Sequence, residues 1–475
     1  MLEWKGLQKV LRDPRVTRSG TFLRESVWTR FLPAGGWPQP QETPIPAEAG
    51  PRTRPQVLHV VTRYLRGGSE ARIRDIARSF PEADHHLIVG ADSAVELARG
   101  HRPATLTVMG TLVREPSPLK DVATILKLVK ILRRQRFLLV VTHQSKAGVL
   151  GRVAARVAGA PPVIHSLSMA NFGAGYRKWE DLLFRLIEGR LHRVTAAYVV
   201  VGHDLAGRYQ AIGVPAGKLN VVRSGLSLPA AAAMNNGHVE VLERLGLPTN
   251  RPIVLHLGSL EPRKNVLDLG LYLRRLLLIE GPGRPFLVVA GEGPLAGELL
   301  STFRRQGLTD DAALVGFVDE PGPLIAAADA TILLSRAEGV PQVLVQAAAA
   351  GTPFVAYDVD GVRELVALGA VGAVVALGDV TAAAAETARI IWRGKEEPNT
   401  SIDLTSWSLE VISAEYRRLI ESIVSTAGAA SSRRFRRRRT GMRPRSNRSE
   451  PSLSDGSGMA RHRADPEPTL WINQL

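Results

Sequence analysis

The feature that most constrains the fold is a repeated order of strand, loop and helix along most of the chain. Short unbroken runs of apolar residues each precede a polar or glycine-containing loop and then a segment with apolar residues at helical spacing. Unbroken apolar runs indicate strands covered on both faces, as in a parallel sheet, because a strand with one face in solvent alternates. The first series of runs is 57–61, 86–90, 138–143, 162–166 and 197–201, and the second is 253–258, 286–291, 313–317, 330–334 and 353–357.

The two series predict an α/β protein with two doubly wound domains that face each other across a cleft. A last amphipathic segment carries Ile412, Tyr416 and Ile420 on one face, and with Trp407 before it we expect a helix that returns to the first domain. The predicted parts are a flexible N-terminal extension (1–54), the first Rossmann-like domain (55–228), a linker (229–250), the second Rossmann-like domain (251–403), the returning helix (404–428) and a basic disordered tail (429–475).

Much of the positive charge is concentrated near the end of the chain. The formal net charge is +16, and residues 431–475 hold 11 arginines against 4 acidic residues. This segment cannot build a core, so a solvated tail and a tail that attaches to an anionic membrane both remain open. Specific nucleic-acid recognition is not predicted, because no aromatic stacking pattern accompanies the basic run.

Cysteine is absent, which excludes disulfides, thiolate chemistry and cysteine metal sites. Neither a signal peptide nor an apolar run of membrane-spanning length is recognisable in the sequence. We therefore expect a cytoplasmic protein, with peripheral contact at the inner membrane face as a further option.

Glu338 is the strongest candidate for a functional side chain. In open parallel sheets, ligands bind beyond the carboxyl ends of the strands, and Glu338 follows the strand 330–334. It precedes Gly339, Val340 and a helix with Pro341 in its first turn. A carboxylate can accept hydrogen bonds from vicinal sugar hydroxyls, and free N–H groups at a helix entrance suit phosphate oxygens. A plain helix-capping role for Glu338 remains the alternative.

Other loops at strand ends are candidates for the same cleft. Arg263 and Lys264 form a basic pair that can neutralise a diphosphate, and they follow Gly258 and Ser259 at the end of a strand. Glycines in three loops would let backbone approach a ligand or a nucleotide base closely. Each signal alone is also typical of an ordinary loop, whereas the combination is more specific. The glycines besides Gly258 are Gly67, Gly68, Gly291 and Gly293.

Together, these motifs resemble the retaining nucleotide-sugar glycosyltransferases of glycosyltransferase family 4, which have the GT-B fold. The resemblance covers residues from about 57 to 423. The segments that carry it are 257–260, 290–294, 316–318 and 358–365 in the second domain, with 142–152 and 221–225 in the first.

The resemblance implies transfer of a sugar from a UDP- or GDP-linked donor to the hydroxyl of a glycan or a lipid-linked glycan, with no cofactor beyond that co-substrate. It implies that Lys264 holds the donor diphosphate and that Glu338 holds the transferred sugar, so that catalysis depends on Glu338. The amides of Gly339 and Val340 would lie nearby, and the loop of Gly67 and Gly68 would lie under the phosphates and the acceptor.

Three positions depart from the family pattern. Ser259 stands where the family usually has an arginine, Ser168 where many members have a histidine, and Gln346 where a second glutamate grips the ribose. Arg263 can substitute for the missing arginine. An amide still accepts a hydrogen bond, but a charge-assisted bond is about twice as strong, so we expect weakened donor binding. A catalytically weak or silent GT-B protein that binds a partner therefore remains the alternative function, and a nucleotide-sugar epimerase is a minor one.

His143, Lys146 and Ser168 are the candidates for contacts with the acceptor. No metal site is predicted. Asp358 and Asp360 look like the carboxylate pair of metal-dependent glycosyltransferases, but at a strand end before a glycine such a pair is typical of a loop turn.

Overall fold

The computed structural model describes residues 54–64, 68–93, 103–173, 177–226, 238–393 and 402–440, and these residues form two parallel sheets with covering helices. The strands are β1 (Gln56–Val61), β2 (Asp84–Gly90), β3 (Thr105–Met109), β4 (Leu139–His143), β5 (Val163–Leu167), β6 (Ala197–Val200), β7 (Leu219–Val221), β8 (Ile253–Leu257), β9 (Phe286–Ala290), β10 (Ala312–Gly316), β11 (Ala330–Leu333), β12 (Phe354–Tyr357) and β13 (Gly372–Val375).

The first sheet has the strand order β3-β2-β1-β4-β5-β6-β7, and each neighbouring pair is parallel. Five of its strands coincide with predicted runs, whereas β3 and β7 do not. Both lie at the edges of the sheet, and both contain partly exposed residues. An edge strand with a partly exposed face need not carry the unbroken apolar run on which the prediction depended.

The second sheet has the order β10-β9-β8-β11-β12-β13 and is also parallel throughout. Five of its strands were expected, and the additional strand, β13, is a short edge strand that begins with glycine. The predicted architecture of two doubly wound domains is therefore confirmed.

Helices cover both sheets, and most of them connect one strand to the next. Their bounds are α1 (Gly68–Ser79), α2 (Pro118–Arg134), α3 (Ser145–Ala158), α4 (Lys178–Leu191), α5 (His203–Ala211), α6 (His238–Arg244), α7 (Asp268–Leu277), α8 (Ala296–Arg305), α9 (Gly322–Ala327), α10 (Gln342–Ala349), α11 (Val362–Ala367), α12 (Val380–Arg393) and α13 (Leu409–Thr440).

The last helix returns to the first domain, as predicted. Ile412, Tyr416 and Ile420 of α13 are buried in one cluster with Val57 of β1 and Phe80 at the end of α1. The helical backbone continues to Thr440, beyond the predicted end at 428, so the first residues assigned to a disordered tail are helical. The rest of that tail and nearly all of the N-terminal extension lie outside the described residues.

The predicted linker needs a correction in its second half. Helix α6 falls within 229–250, and Val241, Leu242 and Leu247 are buried against β8 and α9 of the second domain. The apolar residues of this stretch are therefore part of the second domain's core rather than of a free connection.

A continuous apolar core joins the two domains. Leu167 and Tyr198 of the first sheet belong to the same buried cluster as Leu333, Val340 and Leu344 of the second domain. The loops at the carboxyl ends of the two sheets therefore meet at this junction. Among the described residues, no helix is both long enough and apolar enough to cross a membrane.

Candidate functional site

Two loops of the second domain meet around one carboxylate. The loop after β8 carries Arg263 and Lys264, and the loop after β11 carries Glu338. They meet because β8 and β11 are neighbouring parallel strands, whose carboxyl ends lie at the same edge of the sheet. Lys264 Nζ lies 2.6 Å from Glu338 Oε1, and a terminal nitrogen of Arg263 lies 3.1 Å from Oε2. Glu338 is only 8% exposed, so these three residues, which we call the ion cluster, are brought together as predicted.

The ion cluster is positively charged overall. Burial by itself raises the pKa of Glu338. The charges of Lys264 and Arg263 together lower this pKa by more than burial raises it, so the pKa lies below its ordinary value. Beside the cluster, burial and then the charge of Lys264 lower the pKa of His256 to about 4. At neutral pH, two cations therefore face one ionised carboxylate and one neutral imidazole. This surplus of positive charge suits an anionic ligand such as a diphosphate.

Hydrogen bonds hold the two loops together without a ligand. The Arg336 N–H donates to the carbonyl of Arg263 over 2.9 Å, and the Arg263 guanidinium donates to the carbonyl of Ala337 over 2.9 Å. The side chain of Arg336 also donates to Asn265 Oδ1 over 3.1 Å. Asn265 has a φ of 54°, which turns the chain at the end of the basic loop. These bonds fix the two loops that carry the ion cluster relative to each other.

The predicted glycines of the second domain bring the loops after β8 and β9 into contact. A Cβ atom on Gly291 would overlap the carbonyl oxygen of Gly258, and one on Gly293 would overlap the backbone of Leu260. At Gly258, a Cβ atom would lie 3.6 Å from the Lys264 side chain. Close packing of the two loops therefore explains why glycine stands at 291 and 293. Contact of these glycines with a nucleotide stays a prediction.

Gly339 lies directly against the first domain. A Cβ atom here would overlap the carbonyl oxygen of Ser168 and would come within 2.8 Å of the Val201 side chain. The predicted donor-side loop and the predicted acceptor-side residue Ser168 are therefore neighbours. In the described part of the chain, the N–H groups of Gly339 and Val340 donate to no protein acceptor. A buried N–H group needs a partner, and a ligand oxygen can supply one.

Two of the residues that depart from the family pattern are partly exposed. Gln346 lies on α10 and is partly exposed, and its amide makes no hydrogen bond to the residues that the structure describes. The Ser259 hydroxyl is likewise without a bond to the described residues. Pro341 is the N-cap of α10, one position before the predicted first turn. The ribose contact of Gln346 and the diphosphate contact of Ser259 stay predictions.

His143 packs against another histidine of the first sheet. It is the last residue of β4 and is buried, and its Nε2 lies 3.2 Å from Nδ1 of His59. Burial and then the charge of Arg72 lower its pKa to about 3, so the ring is neutral at neutral pH. This position gives no support to the predicted acceptor-side contact.

The other first-domain candidates differ in what the structure shows of them. Lys146 Nζ lies 2.6 Å from Asp121 Oδ1 and donates to the carbonyl of Glu115, so its charge is already paired. This pairing also gives no support to an acceptor-side contact. Gly68 is the first residue of α1, and Gly67 lies outside the described residues.

Ion pairs between the domains were missed by the sequence prediction. A guanidinium nitrogen of Arg208 on α5 lies 2.6 Å from Asp360, and Arg223 is paired with Glu364. The N–H of Gly361 donates to Asp204 over 2.9 Å, at the same junction. No signal of spacing marks such pairs, because Arg208 and Asp360 are 152 positions apart.

The acidic pair after β12 has protein partners. Asp358 accepts two hydrogen bonds of 2.8 Å from Arg363, and Asp360 is bound by Arg208 as described above. Among the residues that the structure covers, no group of three or more potential ligands is arranged to hold a metal ion. Both acids are therefore paired with arginines, and the expectation that they hold no metal stays a prediction.

Comparison with protein families gives two matches that together span more than half of the chain. The family model described as "Glycosyl transferase 4-like domain" matches residues 67–225, and the model described as "Glycosyl transferases group 1" matches residues 251–392. The first match lies in the domain of β1 to β7, and the second contains the ion cluster.

Individual proteins agree with the family models. The chain is 29% identical over 276 residues to the UDP-Gal:alpha-D-GlcNAc-diphosphoundecaprenol alpha-1,3-galactosyltransferase of Escherichia coli, which is 57% of this chain and 70% of that protein. Anabaena HepE, solved with UDP and glucose, superimposes with a TM-score of 0.56 at 20% identity, covering 81% of this chain and all of its own. The sucrose-phosphate synthase of Thermosynechococcus elongatus gives 0.57 at 17% identity, with coverage of 81% and 100%. These structural likenesses show the fold.

Proposed function

The chain belongs to the glycosyl transferases group 1 family and is a glycosyltransferase, and we propose that it moves a sugar from a UDP- or GDP-linked donor to a hydroxyl of a lipid-linked glycan with retention of configuration. The observation that carries this proposal is the ion cluster. It places a nearly buried carboxylate between two cations at the carboxyl ends of β8 and β11.

Names of related proteins support the choice of donor and acceptor. The Escherichia coli relative is named for UDP-Gal as donor and for an acceptor sugar on diphosphoundecaprenol. Anabaena HepE has been solved with UDP, with UDP-glucose, and with UDP and glucose. A nucleoside diphosphate sugar offers an anionic diphosphate and vicinal hydroxyls, which match two cations and one carboxylate respectively.

In the proposed complex, the diphosphate binds Lys264 and Arg263 in place of the Glu338 carboxylate. Lys264 and Arg263 would then neutralise the leaving diphosphate, while Glu338 would accept hydrogen bonds from the hydroxyls of the sugar. The N–H groups of Gly339 and Val340 have no protein acceptor among the described residues and would complete the donor contacts. In this arrangement, the same few residues bind the donor and stabilise the charge that develops when it reacts.

The proposed reaction needs no nucleophilic side chain. The bond between the anomeric carbon and the diphosphate breaks, a bond to the acceptor oxygen forms on the same face, and the acceptor proton passes to the leaving phosphate. The protein contributes by positioning the reactants and by stabilising charge. In the proposed complex, Ser168, whose carbonyl oxygen is close to Gly339, would lie beside the path of the acceptor to the donor sugar.

Donor binding and donor hydrolysis test this function. We expect titration calorimetry to show binding of at least one UDP- or GDP-sugar from a panel, and Glu338→Gln should abolish transfer and hydrolysis. The same variant should remove the preference for the nucleotide sugar over the free nucleotide. Glu386→Gln is a matched control, because Glu386 is an acid of the same domain that is paired with Arg389 on the surface of α12. It should behave as wild type.

Two results would contradict the proposal. Full activity in Glu338→Gln would show that the ion cluster is not the donor site. Failure of every nucleotide in the panel to bind at millimolar concentration would favour the alternative of a catalytically silent GT-B protein that acts as a binding partner.

The basic tail is a proposed attachment to anionic membrane at the cytoplasmic face. Residues 441–475 lie outside the described part of the chain, so the proposal stands on the sequence alone. Deletion of these residues should weaken binding to anionic vesicles while leaving donor hydrolysis unchanged.

A further inference from the structure

Helix α4 carries an apolar stripe on its outer side. Trp179, Leu182, Leu183 and Leu186 are 57%, 59%, 46% and 47% exposed. Their spacing of three, four and seven positions places them on one face of the helix. The opposite face holds Glu188, which is fully buried and bound to Arg152 of α3. A surface helix normally keeps its apolar residues toward the core, whereas α4 packs Phe184 against the core and exposes this stripe as well.

The acidic residues of α4 have hydrogen-bond partners within the chain, whereas the exposed charges at its ends are positive. Its three acids are all held by donors of the same chain: Glu180 accepts from the Arg177 N–H over 2.9 Å, Asp181 from the Gly173 N–H over 2.6 Å, and Glu188 from Arg152. The exposed charges at the two ends of the helix are positive. They are those of Arg177, Lys178, Arg190 and Arg193.

A second exposed stripe lies in the same helical layer. Leu119, Val122 and Leu126 of α2 are exposed, and the exposed Lys120 and Lys130 belong to the same helix. Helix α3 lies between the two stripes: its Arg152 binds α4, and the carbonyl of its Val157 accepts a hydrogen bond from Arg133 of α2. Side chains of one layer that point away from the sheet face the same side of the domain. We call the two stripes the outer apolar surface.

This surface lies next to the proposed acceptor entrance. Helices that follow the strands of a parallel sheet begin at the edge where those strands end, and that edge carries the binding loops. The first turn of α4 is tied to the loop after β5 by the bond from Gly173 to Asp181. That loop begins at Ser168, which touches Gly339 of the donor side.

We propose that the outer apolar surface docks on an anionic lipid bilayer. Tryptophan and leucine side chains insert at the boundary of headgroups and acyl chains, and the flanking cations bind lipid phosphates. The chemistry favours a bilayer over a second copy of the chain, because exposed cations at both ends of the α4 stripe would repel their equivalents. Docking would bring a lipid-linked acceptor to the loop after β5, and only this last step rests on the proposed function.

Flotation of the full chain with lipid vesicles tests the proposal. We expect binding to vesicles of phosphatidylglycerol and phosphatidylethanolamine, weaker binding to phosphatidylcholine vesicles, and weakening by salt because the charges are at the surface. The triple variant Trp179→Ser, Leu182→Ser, Leu186→Ser should bind anionic vesicles at least about tenfold more weakly, since buried apolar groups contribute strongly at this boundary. Leu271→Ser with Leu278→Ser is the matched control from the second domain, where both leucines are exposed.

A second pair of measurements separates docking from folding and from catalysis. The triple variant should keep the wild-type melting temperature and donor hydrolysis, because its side chains lie outside both the core and the ion cluster. Lys178→Glu with Arg190→Glu keeps the apolar stripe and should reduce the preference for anionic vesicles. Wild-type vesicle binding by the triple variant would overturn the proposal, and so would a dimer in light scattering that the triple variant abolishes.

Discussion

Replacing Lys264 by methionine should both destabilise the protein and prevent donor binding, because in the proposed function one ammonium group serves both roles. Removing one partner of a fully buried ion pair costs about 3–5 kcal/mol, since the other charge stays buried without compensation. The Lys264 side chain is 13% exposed, and Arg263, which lies 3.1 Å from Glu338, is a second cationic partner that the change leaves in the chain. We therefore expect a smaller loss of about 1–3 kcal/mol in the free energy of unfolding.

A double-mutant cycle measured by urea unfolding isolates the pair. Once Glu338→Gln has removed the carboxylate, Lys264→Met removes no ion pair. The double variant should therefore be more stable than the sum of the single effects predicts, by at least about 1 kcal/mol. Arg389→Met removes a surface partner of Glu386 in the same domain and should change stability little. Strictly additive effects of Lys264→Met and Glu338→Gln would refute the ion cluster as an energetic unit.

The pH dependence provides an independent check with a defined sign. The pKa of Glu338 is lowered in the folded protein, so its contribution is present above the unfolded-state pKa of about 4.3 and is lost as pH falls through the folded-state pKa. In Lys264→Met one of the two opposing charges is gone and burial remains, so the pKa of Glu338 rises toward or above its unfolded-state value. The loss of stability between about pH 5 and pH 3 should therefore be less steep in this variant than in wild type.

Three further changes are predicted to act at separate points. Gln346→Glu should tighten donor binding about tenfold if this side chain contacts the ribose, because a charge-assisted bond is stronger than a neutral one, and calorimetry will measure it. Gly339→Ala should impair transfer and lower the free energy of unfolding in urea by about 1–3 kcal/mol, because the added Cβ overlaps the Ser168 carbonyl. Gly297→Ala is the control and should be tolerated, because its Cβ meets no atom within 4 Å. The pKa of His143 is lowered to about 3, so stability should fall as pH drops below about 6.5, and His143→Gln should make that fall less steep in unfolding measured from pH 7 to 4.

The central strands of both sheets were predictable because two covered faces produce one pattern. A run such as 139–141 in β4 is apolar at each position, and its residues are buried in the structure. The edge strands β3, β7 and β13 are short or partly exposed, so this pattern is weak in them. The linker prediction failed for a different reason: Val241 and Leu242 lie in a helix of only 7 residues, and so short an apolar pattern does not show by itself which domain buries it.

The ion cluster was predictable because each of its residues lies just after a strand. Topology then places the carboxyl ends of β8 and β11 together, although Lys264 and Glu338 are 74 positions apart. No such rule of topology predicts the pair of Arg208 and Asp360, because this pair joins a helix of one domain to a loop of the other. The burial of His143 could not be predicted either. The sequence of a strand end does not show whether a histidine there faces a ligand or another histidine.

The three substitutions that weakened the sequence prediction leave the ion cluster intact. Gln346 and Ser259 are partly exposed and lack bonds to the described residues, so a ligand that binds them need not break a protein contact. Glu338 is different, because its carboxylate already has two cationic partners. In the proposed complex, a donor competes with that carboxylate for Lys264 and Arg263. A ligand that offers both a diphosphate for the cations and hydroxyls for Glu338 would satisfy all three groups at once. We therefore expect the ion cluster to select a nucleotide sugar over inorganic phosphate or a free sugar, even where the ribose contact is weakened.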